Sequence, residues 1–192
     1  MSSDSNNIIK SYWQDVWKNF INGDTRAFDI IYKEQVDFLY KYGLKIKRDT
    51  SLIEDSIQDL FLYIISKKKE IVTPENIRFY LLTAFRRILL EKIYKEKNYI
   101  KENSLGSFKF DFIIDIDEIR KKKLTEAKIK FIEDLIESLD SQKKEIIYLK
   151  FHSGLSYTEI AEIAGIKSDS VKKMVYRIIF SFRKIVEKNT LE

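Results

Sequence analysis

Ser156-Tyr-Thr-Glu-Ile-Ala-Glu-Ile-Ala-Gly165-Ile-Lys-Ser168-Asp-Ser-Val-Lys-Lys-Met-Val-Tyr-Arg177 has the pattern of a DNA-binding helix-turn-helix. Ser156 and Glu159 stand three apart as a capping box, which predicts a short helix starting there. Ile160, Ala161 and Ala164 give that helix an apolar face with small residues where a second helix must come close. Gly165 then supplies the left-handed residue that ends it. Ser168 reads as the N-cap of the next helix, in which Val171, Val175, Ile178, Phe182 and Ile185 recur at helical spacing. Ser170, Lys172, Lys173, Tyr176 and Arg177 occupy the opposite side. A helix with an apolar inner stripe and a polar, basic outer face fits the DNA major groove.

Outward from this stretch, composition narrows the class. The chain has 192 residues, 44% hydrophobic and 34% charged, with a single proline and five glycines. So many apolar and charged residues with so few breakers predict amphipathic helices and argue against a turn-rich sandwich or barrel. The absence of cysteine excludes disulfides and thiolate metal sites and is compatible with a reducing cytosol. No apolar run reaches the roughly 20 residues needed to cross a bilayer. Met1-Ser-Ser-Asp-Ser-Asn-Asn lacks a basic region followed by an apolar one, so no signal peptide is expected. The expectation is an all-α protein of the cytoplasm.

The net charge of +5 is modest, but it is unevenly distributed. Arg78, Arg86, Arg87, Lys92, Lys95, Lys97 and Lys101 form one basic block. Lys167, Lys172, Lys173, Arg177, Arg183, Lys184 and Lys188 form another. Between them lies an acidic stretch with Glu102, Asp111, Asp115, Asp117 and Glu118. Two basic helices separated by an acidic segment suggest two contacts with nucleic acid.

The periodicity divides the chain into a first helical domain over 11–100, a linker over 101–123 and a second helical domain over 124–190. Ser11 to about Ile21 reads as a short helix with Trp13, Trp17 and Phe20 or Ile21 on one side. Asp24 is placed to cap a long helix carrying Phe28, Ile31, Tyr32, Gln35, Phe38, Leu39 and Tyr42. Ser51 and Glu54 look like a second capping box, opening a helix to about Ser66. Thr73-Pro74 looks like an N-cap followed by proline at the first helical position, opening a helix to about Asn98. Asn103-Ser-Leu-Gly-Ser107 breaks the pattern, and Phe108 to Ile116 alternates without a helical face. Helices resume at Leu124 to Glu137 and Ser141 to Phe151.

In this order the segments resemble a known family, the extracytoplasmic-function sigma factors of bacterial RNA polymerase. Gly23-Asp24-Thr-Arg-Ala27-Phe28 with Ile31-Tyr32, Glu54-Asp55-Ser-Ile-Gln58-Asp59-Leu-Phe61 and Tyr80-Leu81-Leu-Thr-Ala84-Phe-Arg86 are similar to the family's region two. Leu139, Glu145, Phe151, Gly154-Leu-Ser156-Tyr157, Glu159-Ile-Ala161 and Val171-Lys172 are similar to its region four. The resemblance implies core RNA polymerase and promoter DNA, duplex and melted, as partners, with an anti-sigma factor as a further candidate.

It also implies roles for particular residues. The segment with Glu54, Asp55, Gln58 and Asp59 corresponds to the face that binds the polymerase clamp helices, and acids with an amide suit arginines on a partner helix. The helix after Pro74 corresponds to the part that captures the melted minus-ten element. There Tyr80, Thr83, Arg87, Glu91 and Tyr94 share a face, with Arg86 beside them, and aromatic and basic groups so arranged can stack on and hold single-stranded bases. The family usually has asparagine where Arg87 stands, and aspartate and arginine where Glu91 and Tyr94 stand, so an atypical minus-ten sequence is expected. The helix from Ser168 corresponds to the reader of the minus-thirty-five duplex, through Ser168, Ser170, Lys172, Lys173, Tyr176 and Arg177. The acidic linker corresponds to the connector that runs through the polymerase cleft.

An enzyme reading has little to stand on. His152, the single histidine, sits at a helix end where its charge would complement the dipole. No glycine-rich phosphate loop, nucleophile elbow or metal-spaced cluster appears, and no cofactor is expected. The competing reading is a stand-alone helix-turn-helix regulator that binds duplex operator without polymerase.

Overall fold

The computed structural model describes residues 3–96, 109–111 and 126–190. Among these residues the chain forms eight helices and no strand. It divides into two compact units, Met1–Ser104 and Leu105–Glu192.

The first unit holds α1 (Ser3–Ile21), α2 (Thr25–Ile46), α3 (Thr50–Lys67) and α4 (Ile77–Glu96). Helix α1 begins well before the expected Ser11. Gly23, at φ 98°, turns the chain, and the Asp24 carboxylate accepts from the Arg26 amide at 2.9 Å to start α2 as its sequence predicts. Trp17, Ile31, Leu39, Tyr42, Ile53, Leu60, Leu81, Leu82 and Phe85 form the core. Gly43 lets α2 come close to its neighbours: a Cβ there would lie 3.0 Å from Ile53 Cγ2 and 3.1 Å from Phe85 Cζ.

The caps of α3 and α4 also differ from expectation. Asp49, not Ser51, caps α3: its extended backbone (φ −139°, ψ 97°) lets its carboxylate accept from the Leu52 amide at 3.1 Å. A carboxylate placed two residues earlier takes the orphan amide first, leaving Ser51 inside the helix. Helix α4 starts after Asn76, whose Oδ1 accepts from the Phe79 amide at 3.2 Å, so Thr73 and Pro74 lie in the approach. Asparagine caps as well as threonine does, and here it stands closer to the apolar run.

The second unit holds α5 (Glu126–Glu137), α6 (Ser141–Phe151), α7 (Tyr157–Ala164) and α8 (Ser168–Thr190). Asp140 caps α6 by accepting from the Lys143 amide at 2.9 Å. The α7 capping box forms in both directions: the Ser156 hydroxyl accepts from the Glu159 amide at 3.2 Å, and Ser156 N donates to Glu159 Oε2 at 2.7 Å. Gly165 ends α7 at φ 66°, ψ 30°, and its amide donates to the Ala161 carbonyl. This left-handed residue turns α8 against α7. Ser168 is already the first residue of α8 rather than its cap, and the Lys167 carbonyl accepts from Ser170 and Val171.

Val171, Val175 and Ile178 are buried under α8, but Phe182 is only partly covered and Ile185 is exposed. The expected stripe thus fades along the helix. A 23-residue helix simply runs past the 8-residue α7 that it packs on.

Most of the expected linker lies outside the described residues, including its acids Glu102, Asp115, Asp117 and Glu118. Its described part departs from a simple tether. Phe110 is buried, with its ring 5.7 Å from that of Tyr148, so it belongs to the core of the second unit.

Candidate nucleic-acid interfaces and partner face

On α8 the structure separates the two sides that periodicity predicts. Val171, Val175 and Ile178 face inward, while Ser170, Lys172, Lys173, Tyr176 and Arg177 are exposed and Ser168 is half-exposed. Tyr176 is 70% exposed, an unusual state for so large an apolar ring. It does not stand alone. Phe180, one turn on and 50% exposed, lies 6.3 Å away with its plane tilted by only 9°. Lys184 covers the next position, with Nζ 4.9 Å from the Phe180 ring. The sequence reading missed Phe180, although its spacing of four from Tyr176 is the signal that finds it.

On α3, Glu54, Asp55, Gln58 and Asp59 are all exposed. Because α3 begins at Thr50, these acids lie in its second and third turns, beyond the short range of the helix dipole. Asp59 is committed within the unit: its carboxylate accepts from Lys92 Nζ of α4 at 2.7 Å. Beside this face, α2 and α3 enclose an open cavity of about 580 Å³, lined by Phe28, Tyr32, Phe61, Leu62 and Ile65 and edged by Asp37, Glu54 and Gln58. Leu62 and Ile65 expose much of their surface there. The acidic face therefore borders an apolar groove that the sequence reading did not foresee.

On α4 the expected single-strand face is mixed. Arg87 is exposed, with its Nε 3.9 Å from Glu91, a loose pair that leaves the guanidinium accessible. Tyr80 is half-buried, its ring edge-on to Trp17 of α1 at 5.7 Å. Burial raises the Tyr80 pKa, the Tyr63 phenol adds to this, and the Arg87 charge opposes it. Thr83 and Tyr94 are half-buried, and the Thr83 hydroxyl is enclosed with no hydrogen-bond partner. Arg86 departs from expectation. It is 8% exposed, on the side of α4 that carries Leu82, Phe85, Leu89 and Leu90, so it does not stand at the surface beside Arg87 as a phosphate holder. Consecutive helical residues differ by about 100° in direction, which sends the neighbouring arginines to different environments.

Among the described residues no group of acids and histidine could hold a metal ion, and no helix is long and apolar enough to cross a membrane.

These features define a two-unit helical protein that presents a basic helix-turn-helix. Residues 132–179 match the family described as Sigma-70, region 4. Bacteriocin UviA of Clostridium perfringens is 28% identical over 181 residues, covering 83% of this chain and 97% of that protein. The ECF RNA polymerase sigma factor SigX of Bacillus subtilis is 20% identical over 168 residues, covering 84% of each. Among solved structures, CnrH in complex with the cytosolic domain of CnrY aligns over 91% of this chain and 97% of its own, with a TM-score of 0.56 and 14% identity. RpoE of Bartonella quintana, in complex with the anti-sigma factor NepR, aligns over 83% and 96%, with a TM-score of 0.52 and 18% identity. Residues 132–179 thus carry a sigma-70 region 4, and along most of its length the chain is similar to an extracytoplasmic-function sigma factor of bacterial RNA polymerase.

Proposed function

We propose that this chain is a sigma factor of the extracytoplasmic-function type that divides its work among the exposed faces of α3, α4 and α8. The first unit, as region two, docks on core polymerase through Glu54, Asp55, Gln58 and Asp59. It holds the melted minus-ten strand against Tyr80, Thr83, Arg87 and Tyr94 of α4. The second unit, as region four, reads the minus-thirty-five duplex with Ser168, Ser170, Lys172, Lys173, Tyr176 and Arg177. Segment 101–123, acidic between Glu102 and Glu118, links them, with Phe110 seated in the core of the second unit. The chain acts in the cytoplasm by binding, with no catalytic step of its own.

The observation that carries this reading is the basic outer face of α8, mounted on a capped helix-turn-helix inside the matched region-four segment. Cations on one exposed helix face supply the phosphate affinity, and the groups between them reach base edges. The acidic face of α3 supports polymerase rather than DNA as its partner, since it would repel a duplex. Both solved relatives are bound to another protein, one of them named as an anti-sigma factor, which supports a similar inhibitor for this chain. The name of the Clostridium perfringens relative points elsewhere, but the region-four match and the geometry of α8 favour promoter binding.

The test is reconstitution with bacterial core polymerase and a library of promoter fragments. Specific run-off transcripts that require the chain are expected. Tight duplex binding by the free chain, with no transcript and no retention by core, would favour a stand-alone regulator.

A further inference from the structure

Cations explain why α8 approaches DNA, but not why two aromatic rings stand exposed among them. Tyr176 and Phe180 are 70% and 50% exposed, and they lie near parallel at 6.3 Å. Lys172, Lys173, Arg177, Arg183 and Lys184 surround them, all exposed. Exposed ring faces cost solubility and carry no charge to hold phosphate, whatever hydrogen bond the Tyr176 hydroxyl adds, so this pair suits a partner that is both polyanionic and locally apolar. The floor of the DNA major groove carries one apolar group, the C5-methyl of thymine.

We propose that the Tyr176–Phe180 ring pair is a thymine-methyl reader that gives the minus-thirty-five duplex contact its base specificity. This rests on the assignment of α8 as the duplex reader and says what it reads. Three observations support it. The rings lie on the outer face, opposite Val171, Val175 and Ile178. The flanking lysines and arginines are positioned to draw a phosphate backbone along either side. The ring spacing of 6.3 Å is close to two base steps of about 3.4 Å, so both rings can meet methyls on one strand. Mutual stacking and the Lys184 ammonium over Phe180 hold the pair in place before DNA arrives, which lowers the ordering cost of binding.

The experiment uses holoenzyme reconstituted from the full chain and bacterial core polymerase. Promoter duplexes are first enriched from a pool randomised over the upstream element. The enriched duplexes are then remade with deoxyuridine for thymidine in that element alone, which deletes the methyls and keeps every base-pair hydrogen bond. Binding should weaken about fourfold per methyl that the rings contact, the effect of removing one buried carbon from an apolar contact. Tyr176→Phe should keep this sensitivity, because the ring remains. The Tyr176→Ala, Phe180→Ala variant should bind thymidine and deoxyuridine duplexes equally, with the salt dependence of the wild type.

Equal binding of both duplexes by the wild type would overturn the proposal, as would methyl sensitivity that persists in the double alanine variant. If the alanine variant instead loses retention by core polymerase, with no methyl effect in the wild type, the rings serve a protein contact and the proposal fails. If no upstream sequence is enriched at all, the duplex-reader assignment of α8 fails and the methyl reader with it.

Discussion

Lys92 of α4 donates to the Asp59 carboxylate of α3 at 2.7 Å, tying the helix proposed to hold melted DNA to the helix proposed to meet polymerase. Asp59 thus stands both in the proposed partner face and in an internal ion pair, whereas Asp55, exposed in the preceding turn, stands in the proposed partner face alone. Charge reversal should tell them apart. Asp59→Lys places like charges together and should lower unfolding stability by about 1 kcal/mol, with weaker core binding as well. Asp55→Lys should leave the melting temperature unchanged and weaken core binding. Thermal unfolding beside a core-polymerase retention assay checks both. Full retention of the double variant would remove α3 as the docking face.

Gly43 gives a second prediction, this one about packing. Gly43→Ala pushes a methyl to 3.0 Å from Ile53 and 3.1 Å from Phe85, tighter than side chains normally meet. The core of the first unit should lose about 1–3 kcal/mol, the usual cost of overpacking, even though alanine favours the helix. Denaturant unfolding of the full chain, followed by tryptophan fluorescence from Trp13 and Trp17, reads this unit specifically, because both tryptophans lie in α1. A midpoint equal to or above that of the wild type would contradict the contact.

Much of this was legible from the chain itself. The α7 capping box, the left-handed Gly165 and the Asp24 cap follow from local chemistry, and all three are found. Where several residues could do the same local job, the pattern misled. Asp49 and Ser51 both cap well, as do Thr73 and Asn76, and only the packed helix chooses between them. Arg86 looked like a surface residue because arginine usually is one, yet its direction on α4 is set by Phe85 and Leu89. The α2–α3 groove and the Lys92–Asp59 pair join residues far apart in sequence, and single-chain periodicity carries no signal for such meetings.

The phosphate contacts of α8 can be weighed separately from its rings. Lys172→Ala with Lys173→Ala removes two exposed cations and leaves Val171 and Val175 in the core. Duplex affinity should fall for all sequences alike, and the slope of log affinity against log salt should drop by about one to two units. Binding titrations at several salt concentrations give the slope directly. An unchanged slope would mean that α8 does not lie on DNA.

Tyr80 makes stability depend on alkaline pH. Burial holds its phenol above the ordinary value of 10.0, helped by Tyr63 and opposed by Arg87. The unfolded chain therefore releases this proton first as pH rises. The stability that Tyr80 contributes is full below about pH 10 and is lost as pH climbs through the raised value. Tyr80→Phe should flatten the fall in melting temperature between about pH 9 and pH 11. Parallel profiles for the two proteins would contradict the burial.

Strand opening is where the chain departs most from the family it resembles, and there Tyr80 and Arg87 should act together. Arg87 is the exposed cation of this face, while Tyr80 rests edge-on against Trp17 and offers its remaining surface to a base. Arg87→Ala and Tyr80→Ala should leave core retention and minus-thirty-five binding nearly intact but reduce the melted promoter, since stacking on one base is typically worth about 1–3 kcal/mol. A template with a pre-melted minus-ten bubble should partly rescue both, because the unpairing cost is then already met. Tyr80→Phe should melt almost normally, since stacking needs the ring and not the hydroxyl. Permanganate reactivity of minus-ten thymines measures the outcome. Normal reactivity in the Tyr80→Ala, Arg87→Ala double variant would place the captured bases elsewhere, and the segment between α3 and α4, where Val72 is almost fully exposed, would be the next place to look.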